Sequence, residues 1–253
     1  MNMVVDSPVS WYNPWCNRNT FKQNNIQRGI CMNTVNTVKK TLKKYSHAWV
    51  FLYAFIYLPW FFYLERRTNV RHYIIHSPLD DYIPFVEYFI VPYLLWFLFI
   101  AVTVGYFFFT DKKGFYKLTT FLFSGMTIFL IICTVFPNGL NLRPDTFVRD
   151  NIFVDMVRQL YQTDTSTNVL PSIHVFNSIG AVIAISHSNA LKKHKAVQYS
   201  SYLLAGLIIL STMFLKQHSV TDVIAAIVIS CIIYPFVYVM QERKEPKLSH
   251  QLI

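Results

Sequence analysis

The sequence predicts an all-α integral membrane protein, a six-transmembrane-helix bundle with the active site at the outer face. Three observations predict it: a shortage of charge, the block arrangement of apolar residues, and the side of the bundle on which polar residues collect. Of the 253 residues 53% are hydrophobic, 17% aromatic and only 14% charged, whereas a soluble domain carries about 25% charged residues. The apolar residues fall into six blocks, Ala48–Leu64, Ile83–Phe109, Leu118–Phe136, Pro171–Ser186, Val197–Leu215 and Val220–Met240. Each is near the roughly 20 residues that span a bilayer. Period-two alternation is absent, and backbone groups in lipid must be satisfied within the segment, so helices rather than strands follow.

The first block follows "KKTLKKYSHAW" and lacks a small-residue cleavage site, which predicts a retained helix rather than a signal peptide. Pro92 lies inside the second block and predicts a kink. The fourth block opens on Pro171, read as a helix start because the first turn has no use for the missing donor. Residues 1–36 are Asn-rich and unpatterned. The chain therefore divides into a cytoplasmic, partly disordered segment 1–44, a membrane domain 45–240 and a cytoplasmic tail 241–253. Met32 is an alternative start, since "MNTVNTVKKTLKKY" leads directly into the first helix.

Cytoplasmic loops carry an excess of Lys and Arg. With the amino terminus inside, 16 of the 23 basic residues fall on the cytoplasmic side and seven outside. The outer seven are Arg66, Arg67, Arg71, Arg143, Arg149, Arg158 and Lys216. A multi-pass cell-membrane protein with both termini cytoplasmic is the expectation. The net charge of +10 is then chiefly an orientation device, aided by anionic lipid, and implies no nucleic-acid partner. Cys16, Cys31, Cys133 and Cys231 show no paired spacing, so neither a disulfide framework nor a zinc site is suggested.

This topology gathers the polar exceptions on the outer side. Ser172 and His174 open the fourth helix, His218 and Asp222 open the sixth, and Arg143 lies in the loop between helices three and four. His218 and Asp222 are four residues apart, one helical turn on one face. A carboxylate there can fix the imidazole tautomer and leave the other nitrogen free to attack an electrophile. Arg143 offers a planar fork for phosphate oxygens and Lys216 a point charge. Ser172 adds a hydroxyl at a helix start whose free N–H groups favour anions. Together they fit phosphoryl transfer better than peptide or glycoside hydrolysis. Spacing alone also allows His174, His218 and Asp222 to form a metal triad. Asp80 and Asp81 are either head-group contacts or helix-entrance residues. Asp164 and Asn168 either shape the site or form a turn. Trp49, Trp60, Tyr82 and Trp96 read as interface anchors or packing.

At these residues the chain resembles the type 2 phosphatidic acid phosphatase superfamily. "PSIH" and the later Ser211, His218 and Asp222 resemble its second and third motifs, and Arg143-Pro144 the end of its first. The contexts "DTSTNVLPSIHV" and "STMFLKQHSVTDV" look most like the bacterial branch close to inositol phosphorylceramide synthase, in which an aliphatic residue, here Ile173, replaces a glycine. The resemblance implies that His218 forms a phosphohistidine, that Asp222 orients it, and that His174 protonates the leaving oxygen. Arg143 and Ser172 would bind phosphate. Two family cations are missing, their positions being Phe136 and Thr212, and Lys216 is placed to supply one.

The expectation is a membrane lipid phosphatase acting on phosphatidate or a polyprenyl diphosphate, with no metal and no cofactor. The alternative is a head-group phosphotransferase of the inositol phosphorylceramide synthase type. A non-enzymatic membrane protein or transporter would show internal repeats or charges near the midplane, and the sequence has neither.

Overall fold

A computed structural model describes residues 40, 43–67 and 69–240. By internal contacts the chain divides into Met1–Trp49 and Val50–Ile253. The Met32 start, Cys16, Cys31, the tail 241–253 and all of the segment 1–44 except residues 40, 43 and 44 lie outside the described residues.

From Val50 on, the protein is mostly helical. A 3-10 stretch, Ser46–Tyr53, runs into α1 (Ala54–Glu65), followed by α2 (Ile90–Thr110), α3 (Lys112–Val135), α4 (Ile152–Thr163), α5 (Ile173–His187), α6 (Lys195–Phe214) and α7 (Val220–Tyr234). A π-helical turn, Pro235–Val239, extends α7. Among the described residues five helices are long and apolar enough to cross a membrane: Ser46–Glu65, Glu87–Thr110, Lys112–Val135, Lys195–Phe214 and Val220–Val239. Their outward residues are apolar too, as Phe55 (78% exposed) and Leu203 (67%) illustrate. Helices apolar all round need a surrounding apolar solvent.

The fourth predicted block forms α5, a shorter apolar helix of 15 residues. That length rises about 22 Å, less than the roughly 30 Å hydrocarbon core. Its start differs from expectation. Ser172, not Pro171, bounds the helix, because the Ser172 hydroxyl accepts a hydrogen bond from the Val175 N–H at 3.4 Å. Pro171 thus stands before the cap. Pro92 likewise sits in the first turn of α2, which begins at Ile90, so its missing donor breaks no interior hydrogen bond and a kink is not required.

α5 is the central helix, packed against α2, α3, α6 and α7. Gly125 of α3 permits this closeness: a Cβ there would lie 2.1 Å from the Phe176 ring of α5. Phe121 stacks on the same ring, centroids 4.7 Å apart. Small residues at helix crossings are the usual means of close approach in membranes. The main core joins Phe107, Phe115, Leu118, Phe121, Val175 and Val223, among others.

The segment 137–170 is more ordered than the loop the sequence suggested. It contains α4, capped by Asn151, whose side chain accepts from the N–H groups of Phe153 and Val154, both at 3.0 Å. Val154 and Val157 of α4 are buried, and Val157 clusters with Ile90, Tyr93 and Leu215. There is also a parallel pairing of two two-residue strands, β1 (Tyr73–Ile74) with β2 (Asn138–Gly139), and Gly139 bridges onward to Thr167. Asn138 is fully buried at the junction. Its side-chain oxygen accepts from Val169 N (2.8 Å) and Leu170 N (2.9 Å), and its amide donates to Phe136 O (2.8 Å). Three loops are thereby tied together directly ahead of α5.

Candidate active site

His218 stands between two helix ends. α6 closes with the N–H of Lys216 bonded to Met213 O and that of Gln217 to Thr212 O, both at 2.9 Å. This pattern closes a helix when the intervening residue is left-handed, and Lys216 has φ 53°. A glycine would adopt that conformation without strain, so nothing in the sequence marks a left-handed lysine. Thr212 O also accepts from His218 N at 3.0 Å. One residue later Ser219 caps α7, and Asp222 Oδ2 in turn accepts from the Ser219 N–H at 2.9 Å. The reciprocal capping box thus fixes the carboxylate that His218 meets.

Asp222 is fully buried, and its Oδ2 lies 3.3 Å from His218 Nδ1. With a carboxylate there, Nδ1 carries the proton as donor and Nε2 keeps its lone pair. His174, from the first turn of α5, is held differently. Its ring lies against Trp96 (centroids 4.3 Å) and Tyr93 (4.7 Å), and its Nδ1 is buried with no hydrogen-bond partner. The two imidazoles are 5.7 Å apart. Both line a cavity of about 590 Å³. Phe61, Phe97 and Phe129 give it an apolar side, and Glu65, Arg66, Asp164, Thr165, Asn168 and Gln217 a polar rim.

The residues singled out in the sequence are therefore not all in one place. His174, His218 and, behind it, Asp222 converge. Ser172 is fully buried, with its hydroxyl engaged in capping α5 and its N–H directed to Asp222 O at 3.3 Å. Arg143 reaches the rim from behind. Its fork donates to the carbonyls of Tyr161 (3.2 Å), Asp164 (2.8 Å) and Thr165 (3.0 Å) and to Gln217 Oε1 (2.6 Å). The Tyr161 ring covers its face at 4.4 Å. Burial pushes its pKa below the usual arginine value and Asp164 pulls the other way.

Lys216 turns away. Its ammonium donates to the carbonyls of Asp80 (2.8 Å) and Ile83 (2.6 Å), and burial lowers its pKa. Asp80 is buried too, but it faces the start of α7, accepting from Ser219 Oγ (2.6 Å) and Val220 N (2.8 Å). Asp81 pairs with His76 at 2.8 Å on the surface. Thr212, at one missing cation, is fully buried and braces the turn; Phe136, at the other, packs on Tyr73 at 5.3 Å. Among the described residues no group of three or more His, Cys, Asp or Glu is placed to hold a metal ion.

Several rim residues escaped the sequence reading. Glu65 accepts from Asn168 Nδ2 (2.8 Å) and from the Thr165 hydroxyl. Arg66 lines the cavity beside it, where the sequence suggested only a charge that orients the chain. Tyr93 donates to Asp164 Oδ2 at 2.9 Å, and Trp96, read as an interface anchor or packing, packs as a wall of His174. Tyr93 and Trp96 are three residues apart, the spacing of a shared helix face, but only the position of α5 reveals what that face meets. His174 Nδ1, Gln217 Nε2, Arg143 Nε and Asn168 Oδ1 are all buried without partners. The site therefore holds unused hydrogen-bonding capacity.

A family model described as the PAP2 superfamily matches residues 118–246. No curated protein and no solved structure matches the chain.

Proposed function

The chain belongs to the PAP2 superfamily, and from that premise we propose that it is a membrane lipid phosphatase acting on a phosphorylated lipid, phosphatidate or a polyprenyl diphosphate, through a phosphohistidine. Superfamily members are phosphoesterases or phosphotransferases. The observation that carries the reading is the pair of imidazoles 5.7 Å apart on one cavity, only one of them backed by a carboxylate.

In this reading Nε2 of His218 attacks phosphorus, and the P–N bond forms as the bond to the leaving oxygen breaks. Asp222 holds the Nδ1 proton and stabilises the developing positive ring. His174 gives its proton to the leaving oxygen, acting as general acid. Water, losing its proton to His174, then attacks phosphorus and releases His218. The apolar side of the cavity takes the lipid chains. Arg66 and the Gln217 amide, both on the cavity wall, are the donors offered to the phosphate, with Arg143 holding Gln217 from behind and Ser172 and Lys216 acting through the turns they brace. By its charge distribution the protein is multi-pass in the cell membrane, α5 being a sixth span, with both termini cytoplasmic and the cavity facing outside.

A head-group phosphotransferase of the inositol phosphorylceramide synthase type is the second reading. It is favoured by the rim, where Glu65, Asp164, Thr165 and Asn168 supply groups suited to an alcohol. Thr212 and Phe136, standing where cations would be, also favour a diester, which carries less charge than the roughly −2 of a monoester. The test is turnover by the purified chain in detergent micelles. Labelled phosphatidate, a polyprenyl diphosphate, or phosphatidylinositol with ceramide or diacylglycerol would be supplied in separate arms. Released phosphate supports the first reading and a transferred head group the second. Turnover unaffected by His218→Ala refutes the assigned nucleophile.

A further inference from the structure

A second cavity, of about 470 Å³, lies at the far end of α5. Its wall is mostly polar and, among the described residues, carries Lys113, Lys117 and Lys192 together with the acidic Asp111. Asp111 is already engaged: it caps α3 by accepting from Gly114 N at 3.0 Å, so its charge is directed at a helix start. Lys192 reaches Asn189 Oδ1 at 2.7 Å, and Lys117 lies over the Tyr238 ring at 5.8 Å. His187 bridges two groups, with Nδ1 2.9 Å from Ile183 O and Nε2 3.1 Å from the Tyr234 hydroxyl. Its ring supports Tyr238, centroids 4.9 Å apart. Tyr238 belongs to the π-helical turn, and its hydroxyl is buried with no hydrogen-bond partner. Single π turns occur frequently at functional sites.

We propose that this cavity binds a phosphate-bearing anion, the head group of an acidic phospholipid in the leaflet at that end of the bundle. Three cations drawn from the α2–α3 junction and the α5–α6 turn converge on a concave polar space where helices apolar enough to cross a membrane begin and end. Basic pockets between membrane helices select anionic head groups in this way. The cavity shares no lining residue with the one holding His174 and His218, so the proposal does not rest on the reaction assigned there.

The test is photolabelling of the chain in nanodiscs with a head-group diazirine analogue of phosphatidylglycerol, mapped by peptide mass. Labelling is expected in residues 111–117 and 187–193, competed by phosphatidylglycerol and not by phosphatidylcholine. Lys113→Gln/Lys192→Gln should weaken it about tenfold. Both lysines are exposed, so folding is preserved, and Lys113→Arg/Lys192→Arg should restore labelling. Competition by inorganic phosphate but not by phosphatidylglycerol would support the anion site with a soluble source. Labelling that is unchanged in the Gln variant, or equal for a phosphatidylcholine analogue, overturns the proposal.

Discussion

His218 and His174 share one cavity yet are held by opposite means. His218 sits on a turn between two helix ends with a carboxylate on Nδ1, while His174 lies against two aromatic rings with Nδ1 unpartnered. A carboxylate stabilises a ring that becomes positive when it attacks. Aromatic walls keep a ring in place without settling where its proton goes. The first surrounding suits a nucleophile and the second a group that gives and takes a proton. The contrast teaches that in this cavity roles are read from what stands behind each imidazole, not from the imidazole itself.

The sharpest way to break that comparison is His218→Ala, expected to lower turnover of the lipid substrate by about 10⁴-fold. With His174→Ala the expected loss is about 10²- to 10⁴-fold, the contribution of a general acid. p-Nitrophenyl phosphate separates the two. Its leaving group needs no proton, so the His174 variant should release a stoichiometric burst of p-nitrophenolate and then stall at the hydrolysis that still needs a base, while the His218 variant gives no burst. Absence of a burst in both variants would erase the distinction drawn here.

Supports further out should differ in the same sense, read as thermal unfolding in detergent micelles. Asp80→Ala strips a buried carboxylate from Ser219 and Val220, at the start of the helix after His218. Asn138→Ala orphans the N–H groups of Val169 and Leu170, just ahead of His174. Each should cost about 2–4 kcal/mol, the penalty for leaving several buried groups unpaired. Smallest is Tyr93→Phe, which keeps the ring beside His174 and removes only the hydrogen bond to Asp164. It should cost about 1 kcal/mol, with turnover changed less than by His174→Ala.

The neighbourhood of the two histidines was legible because a four-residue spacing and the start of an apolar block are both local signals. The five long helices were legible for the same reason. Arg143 and Lys216 were not. Their charge suggests an anion, but apart from the Gln217 side chain their partners are main-chain carbonyls of Tyr161, Asp164, Thr165, Asp80 and Ile83, and every residue type carries a carbonyl. α4 escaped because its apolar side meets the ends of α2 and α6, so a short amphipathic stretch between membrane blocks resembles a loop. Asn138 escaped, and Asp80 was offered only as a head-group contact or helix-entrance residue, because a buried polar side chain is largely defined by distant partners.

That distance has a consequence for how the protein is made. Asp80 and Ser219 are 139 positions apart, Glu65 and Asn168 103, and Arg143 and Gln217 74. A helix entering the bilayer during synthesis can form its own hydrogen bonds at once, whereas none of these pairs exists until the later partner has been translated. The cavity and its supports are therefore complete only once the start of α7 has been translated. Until α7 arrives, Asp80 has only its local bond from the Ser77 N–H and lacks those from Ser219 and Val220, so the support behind His218 is completed by the final helix.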